Sequence, residues 1–159
     1  MVSLKTEEQV IQKLCSGQSI AGQISREYFE KIKACSRMDD IFFDEFYMSL
    51  IYKFLETTQY LKEDRFKSDD RVAVTSLKRA GSILQQLQER FSNQQAISAK
   101  WDMVAFAVYS SALLHNIGYV FRNKSIHLTT DEGAYQREWY PLKNGTPFDF
   151  GEHYRVRFI

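Results

Sequence analysis

The chain has 159 residues, of which 44% are hydrophobic, 26% charged and 14% aromatic. That apolar content excludes a disordered chain, and with 2 prolines and 7 glycines a loop-rich all-β design is excluded as well. The 21 basic and 20 acidic residues leave a net charge of +1, so no strong overall field draws the chain to nucleic acid or a membrane surface.

Cys15 and Cys35 are too few for a disulfide framework and read as reduced thiols of a cytoplasmic protein. Residues 1–10 carry charge rather than an apolar run, so no signal peptide is expected. The most apolar stretch, residues 101–120, is interrupted by Asp102, Ser110, Ser111, His115 and Asn116, which argues against a membrane span.

In chain order, Thr6-Glu7-Glu8-Gln9 has capping-box spacing, and Val10, Ile11 and Leu14 follow at helical intervals up to Gly17, a natural stop. Ile20, Ile24, Tyr28, Ile32 and Cys35 form the apolar stripe of a second helix. A third begins at Asp39-Asp40, whose carboxylates suit the positive end of a helix, and continues through Phe42, Phe46, Leu50 and Phe54 to Leu61. The charge-dense run 62–71 breaks the pattern. A fourth helix is predicted over residues 72–91 and a fifth, capped by Ser98, through Trp101, Ala105, Ala112 and Ile117. Beyond Phe121 the periodicity changes: Ser125–Thr129 and His153–Phe158 alternate polar and apolar residues, as half-buried strands do. Asp131-Glu132-Gly133, Pro141, Asn144-Gly145 and Pro147 between them are turn signals. The expected fold is mainly α, a bundle of about five helices with a small C-terminal β hairpin or sheet. It is read as a single domain, 1–159, helical to about residue 121 and β-containing from about 122.

The segment Ser111-Ala112-Leu113-Leu114-His115-Asn116-Ile117-Gly118 resembles the "LLHDIGK" signature of HD-type hydrolase domains, in which adjacent His and Asp bind a metal. Together with Ile126-His127-Leu128, Asp131-Glu132-Gly133, Trp139-Tyr140-Pro141 and Tyr154-Arg155-Val156-Arg157-Phe158, it is similar to the HD-like N-terminal domain of MobH-type conjugative relaxases, the TraI proteins of plasmids and integrative conjugative elements. The likeness spans residues 42–159 and is most specific in the tail. It implies an HD-like helical fold, and it implies a link to a mobile element or conjugation-like system.

The metal chemistry implied by that family is only partly represented. A hard cation needs several deprotonated ligands converging on it. His115 stands in the motif position, but the Asp position holds Asn116, a neutral amide. The region matching the family's histidine-rich stretch, Arg65–Arg71, has no histidine, and Thr75 stands where a further histidine opens the next helix. The family's later helix with its last carboxylate has no counterpart before Ile159. The expected state is a vestigial HD motif, His115 and Asn116, with no cofactor. If a divalent metal is held, its candidate ligands are His115, Asp69 and Asp70. Asn116 reads equally as a helix cap and Asp69-Asp70 as a solvated turn.

Other chemistry is sparse. There is no Gly-rich phosphate loop, no nucleophile elbow and no Cys/His zinc spacing. Arg122, Lys124, Arg137, Arg155 and Arg157 lie among Tyr135, Trp139 and Tyr154. Cations interleaved with rings are the composition that grips single-stranded nucleic acid. The plainer reading makes Arg155 and Arg157 the solvent face of a strand whose Tyr154, Val156 and Phe158 point inward.

Three readings result. The first is a non-catalytic, degenerate HD/relaxase-like domain serving as a binding or assembly module, with a protein partner or a second copy. The second is a metal-dependent phosphohydrolase or nuclease with an altered site. The third is an accessory protein that binds single-stranded nucleic acid.

Overall fold

The computed structural model describes residues 11–59, 72–91, 93–115, 117–120, 124–140 and 143–158. It is mainly helical with a small antiparallel sheet, as the periodicities predict. The chain divides into two compact units: a helical one, Cys15–Val120, and a sheet unit made of the chain up to Leu14 and from Phe121 onward. Among the described residues no helix is long and apolar enough to cross a membrane.

In the helical unit, Ser16 caps α1 (Gly17–Ala21), its hydroxyl accepting from the Ser19 amide at 3.2 Å. The segment read as the end of a helix instead contains β1 (Gln12–Lys13), and Gly17 opens a helix rather than closing one. Gly17 is required by close approach: a Cβ there would stand 2.5 Å from the carbonyl carbon of Tyr52 and 2.8 Å from its Cα. Tyr52 lies on α4 (Ser49–Thr58), so only a glycine lets the two helices meet.

α2 (Arg26–Ser36) carries the later part of the predicted stripe and buries Ile32 and Cys35, but Ile20 lies on α1 and Ile24 in the turn between them, so the one helix read from Ile20 to Cys35 is two. It ends on Arg37 in the left-handed conformation, φ 57°, whose amide bonds the Lys33 carbonyl. Asp39 then accepts from the Phe42 amide at 3.0 Å and starts α3 (Asp40–Phe42). The predicted long helix is present, but Phe43–Met48 is wound as a π-helix before α4. This turn buries Phe43 and Tyr47, stacked at 5.1 Å, and leaves Phe42 and Phe46 exposed.

α5 (Val72–Phe91) and α7 (Trp101–Leu114) form the centre of the unit, with α2 packed on both and the short α6 (Gln95–Ser98) before α7. Ile51, Leu55, Leu77, Leu84, Ala105 and Leu113 make the dry core. Burial of each large side chain there contributes about 1.5–3 kcal/mol. The Trp101 indole N–H donates to the Cys35 carbonyl at 2.8 Å, tying the start of α7 to the end of α2. Tyr28 donates to the Leu77 carbonyl at 2.7 Å and accepts from Tyr109 at 3.0 Å, which satisfies two phenols inside the bundle. Burial pushes the Tyr28 phenol up to about 12 and that of Tyr109 well above its ordinary value. α8 (Ile117–Val120) closes the unit.

In the sheet unit, β2 (Lys124–Thr129), β3 (Tyr135–Trp139) and β4 (His153–Phe158) join β1 in the order β1-β4-β2-β3, all antiparallel. β2 and β4 match the predicted alternation, whereas β3 lies between the predicted turns, on residues for which no strand was predicted. Gly133 in the β2–β3 turn has φ 86°, a conformation that favours glycine. The register places Ile126, Leu128, Trp139 and Tyr154 on one face, all nearly fully buried. On that face the Trp139 indole N–H donates to the Gly145 carbonyl at 3.1 Å, and Tyr154 donates to Gln12 at 2.6 Å.

Candidate nucleic-acid interface

The opposite face of the sheet carries the polar half of each alternating strand. On β4 these are His153, Arg155 and Arg157, and on β2 they are Ser125, His127 and Thr129. The pairs Ser125–Arg157, His127–Arg155 and Thr129–His153 stand directly opposite each other, and Lys13 of β1 is opposite His153. On β3, Glu138 is opposite His127. A register shift makes Gln136 the extra residue, so Tyr135 pairs with Thr129 and returns to this face. The Tyr135 ring lies edge-on to His127, centroids 5.1 Å apart, and is 55% exposed.

The face is therefore basic, with the Tyr135 ring on its β3 edge. Lys13, Arg155 and Arg157 supply fixed positive charge. Among the described residues of the paired strands, Glu138 is the one carboxylate on it, with Asp131 and Glu132 in the adjoining turn. Glu138 is engaged by the Tyr140 hydroxyl, which raises the Tyr140 phenol above its ordinary value. Burial holds the His127 imidazole below its ordinary value; Glu138 opposes this, and the Arg155 and Arg157 guanidiniums add to it.

Polar satisfaction on this face is incomplete. Ser125 and His127 Nε2 are hydrogen-bonded at 3.0 Å, but His127 Nδ1, Arg155 Nε and Thr129 Oγ1 are all withdrawn from solvent without a partner among the described residues. Orphaned buried polar atoms of this kind are rare, because each costs about 1–3 kcal/mol.

The sequence-predicted residues are distributed as follows. Arg155 and Arg157 share this face. Arg137, opposite Leu128, lies on the other face, with its guanidinium 4.4 Å from the centroid of the Phe150 ring. Lys124 is opposite Phe158 and half-buried. Of the three aromatics grouped with them in the sequence, only Tyr135 joins Arg155 and Arg157; Trp139 and Tyr154 are buried on the far face. His127 is the residue that sequence reasoning missed, although its alternation with Ser125 and Thr129 already placed it on the polar side of β2.

His115 caps the end of α7 in the helical unit and is exposed. Asn116, Asp69, Asp70 and Arg122 lie outside the described residues. Among the described residues, no three His, Cys, Asp or Glu side chains are grouped to hold a metal ion.

The chain matches no protein-family model and no curated protein sequence.

Proposed function

We propose that this protein is a binding module that takes single-stranded nucleic acid on the basic face of its sheet. The observation that carries the reading is the placing of Lys13, Arg155, Arg157 and the exposed Tyr135 ring on one side of a sheet whose other side buries Ile126, Leu128, Trp139 and Tyr154. Guanidinium groups pair with phosphate oxygens, while an exposed ring offers a surface on which any base can stack. A sheet face with adjacent strands about 4.8 Å apart suits an extended strand better than a duplex groove, which needs a projecting helix or ribbon. The relaxase resemblance of the His115 segment and the tail points the same way, toward the single DNA strand handled by a conjugation-like system. His115 has no part in this binding reading.

Anisotropy of a labelled oligothymidylate, titrated with protein across a range of salt concentrations, tests it. Binding at low salt is expected to weaken with added salt. Replacing Arg155 and Arg157 by Ala is expected to flatten the log–log salt slope by about 1.4, or about 0.7 for each phosphate left without its cation. Absence of binding at low salt, or a slope unchanged in the double variant, would refute the proposal.

A further inference from the structure

We infer that a cleft in the helical unit, between the end of α2, the π-wound turn and the start of α7, takes an arginine side chain of a partner polypeptide. The cleft belongs to the helical unit alone, so the inference stands apart from the nucleic-acid reading of the sheet.

The cleft has a volume of about 470 Å³ and is lined by Phe42, Phe46, Trp101, Asp39, Asp102 and Arg37. That volume lies in the range of ordinary ligand sites. The π-wound turn Phe43–Met48 puts Phe43 and Tyr47 into the core, which leaves Phe42 52% and Phe46 44% exposed. Their rings are stacked, with centroids 6.3 Å apart. π-turns of this kind recur at functional sites. Asp39 accepts from the Phe42 amide, yet neither Asp39 nor Asp102 has an ion-pair partner among the described residues. Arg37 lines the same cleft without pairing with either; its guanidinium lies 5.4 Å from the centroid of the Trp101 ring.

Two carboxylates against one guanidinium leave the lining net negative, and the faces of exposed rings also attract cations. The ligand is therefore a cation with a body that two phenylalanine rings can cover. A guanidinium meets both demands, since its plane stacks on a ring and its fork pairs with a carboxylate. An ammonium is a compact, strongly hydrated charge and meets only the second. Arg37 over Trp101 already makes the stacking contact inside the cleft. A second hollow of about 590 Å³ shares Arg37 and Ser98 with the cleft and adds Asn93 and Gln95. Side-chain amides offer a donor and an acceptor together, as the main chain of an extended peptide requires. A free guanidine would leave that hollow unfilled, so the occupant is a polypeptide.

Amide-correlation NMR of the full chain tests this with a capped pentapeptide of four alanines around a central arginine. The same peptide with lysine, with glutamate or with citrulline, the neutral isostere of arginine, at its centre supplies the comparison. Saturable shifts at the cleft residues are expected with the arginine peptide and none with the glutamate peptide. The arginine peptide is expected to bind about threefold tighter than the lysine peptide and about tenfold tighter than the citrulline peptide. Asp39, Asp102, Phe42 and Arg37 are all exposed, so variants there keep the fold. Asp39→Asn, which retains a capping side chain, Asp102→Asn and Phe42→Leu are each expected to weaken binding about threefold. Arg37→Asn, suited to the left-handed backbone, is expected to tighten it by removing a like charge and freeing the Trp101 ring. Equal binding by the lysine or citrulline peptide overturns the inference. So does weaker binding in R37N, which would make the cleft an anion site. N-acetylarginine amide binding as tightly as the pentapeptide would overturn the polypeptide occupant. The same shifts on raising the protein concentration alone would make a second copy the occupant and overturn it too. An arginine peptide that shifts no cleft residue removes the site, whatever the sheet binds.

Discussion

Gly17→Ala is the sharpest test of how the helical unit is held together. The added methyl carbon would stand 2.5 Å from the Tyr52 carbonyl carbon and 2.8 Å from Tyr52 Cα, both backbone atoms of α4 that no rotamer change can move. Ordinary carbon–carbon contact is about 3.5–4.0 Å, so α1 must withdraw from α4 by about 1 Å or more. Ile20 and Ala21, buried on α1, move with it and lose part of their packing. Full burial of one large aliphatic side chain is worth about 1.5–3 kcal/mol, and overpacking strain adds about 1–3 kcal/mol. A net loss of about 2–4 kcal/mol is therefore expected, or about 5–15 °C in the melting temperature of a chain of this size. Thermal and urea unfolding followed by circular dichroism measure it, with two internal controls. Among the described residues, an added Cβ at Gly22 meets nothing closer than the Ser19 carbonyl oxygen at 3.4 Å, and one at Gly118 meets nothing within 4 Å. Gly22→Ala is expected to be near neutral, and Gly118→Ala, inside α8, to stabilise by about 0.5–1 kcal/mol. A Gly17→Ala protein within about 0.5 kcal/mol of the wild type, indistinguishable from the controls, would refute the close-approach argument.

The buried phenols yield three further expectations. Tyr47 is fully buried with its hydroxyl unpartnered among the described residues, so Tyr47→Phe is expected to be neutral or to stabilise by up to about 2 kcal/mol in urea unfolding. Tyr109→Phe removes the donor to Tyr28 and is expected to cost about 0.5–1.5 kcal/mol, so the same edit has opposite outcomes at the two positions. Tyr28 and Tyr109 have folded pKa values raised above the unfolded value of 10. The stability they contribute is thus fully present below pH 10 and lost as pH climbs through the raised values, near 12 for Tyr28. With unfolding and phenolate absorbance at 295 nm recorded together between about pH 10 and 12, the last part of the absorbance rise should coincide with unfolding, and complete phenolate formation by all tyrosines ahead of unfolding would contradict it.

Local chemistry was legible wherever one residue pattern could serve only one structure. The later stripe Tyr28–Cys35, the run 72–91 and the alternations of β2 and β4 appear where the periodicity predicts them, because a buried stripe or face admits one spacing. The aspartates at 39–40 also start a helix as their charge suggests, with Asp39 capping it by a hydrogen bond. β3 was not legible: Tyr135, Gln136, Arg137 and Glu138 are all at least partly exposed, and only Trp139 marks a core side in this edge strand. The helical reading of Ile11 and Leu14 failed for a different reason, while Val10 and the capping box before it lie outside the described residues. Gln12 and Lys13 pair with Tyr154 and His153, a partner more than a hundred residues away that outweighs local propensity.

The candidate site shows the same division. The sequence alone determined that Arg155 and Arg157 share one side of a strand, since residues two apart on a strand face the same way. Only the tertiary structure decided which rings and charges join them. Cross-strand register brings His127 opposite Arg155, a one-residue bulge returns Tyr135 to their face, and the same register sends Arg137, Trp139 and Tyr154 to the other. Strand partners and register are set by long-range hydrogen bonds and a shared apolar face, neither of which is written in the spacing of any one segment.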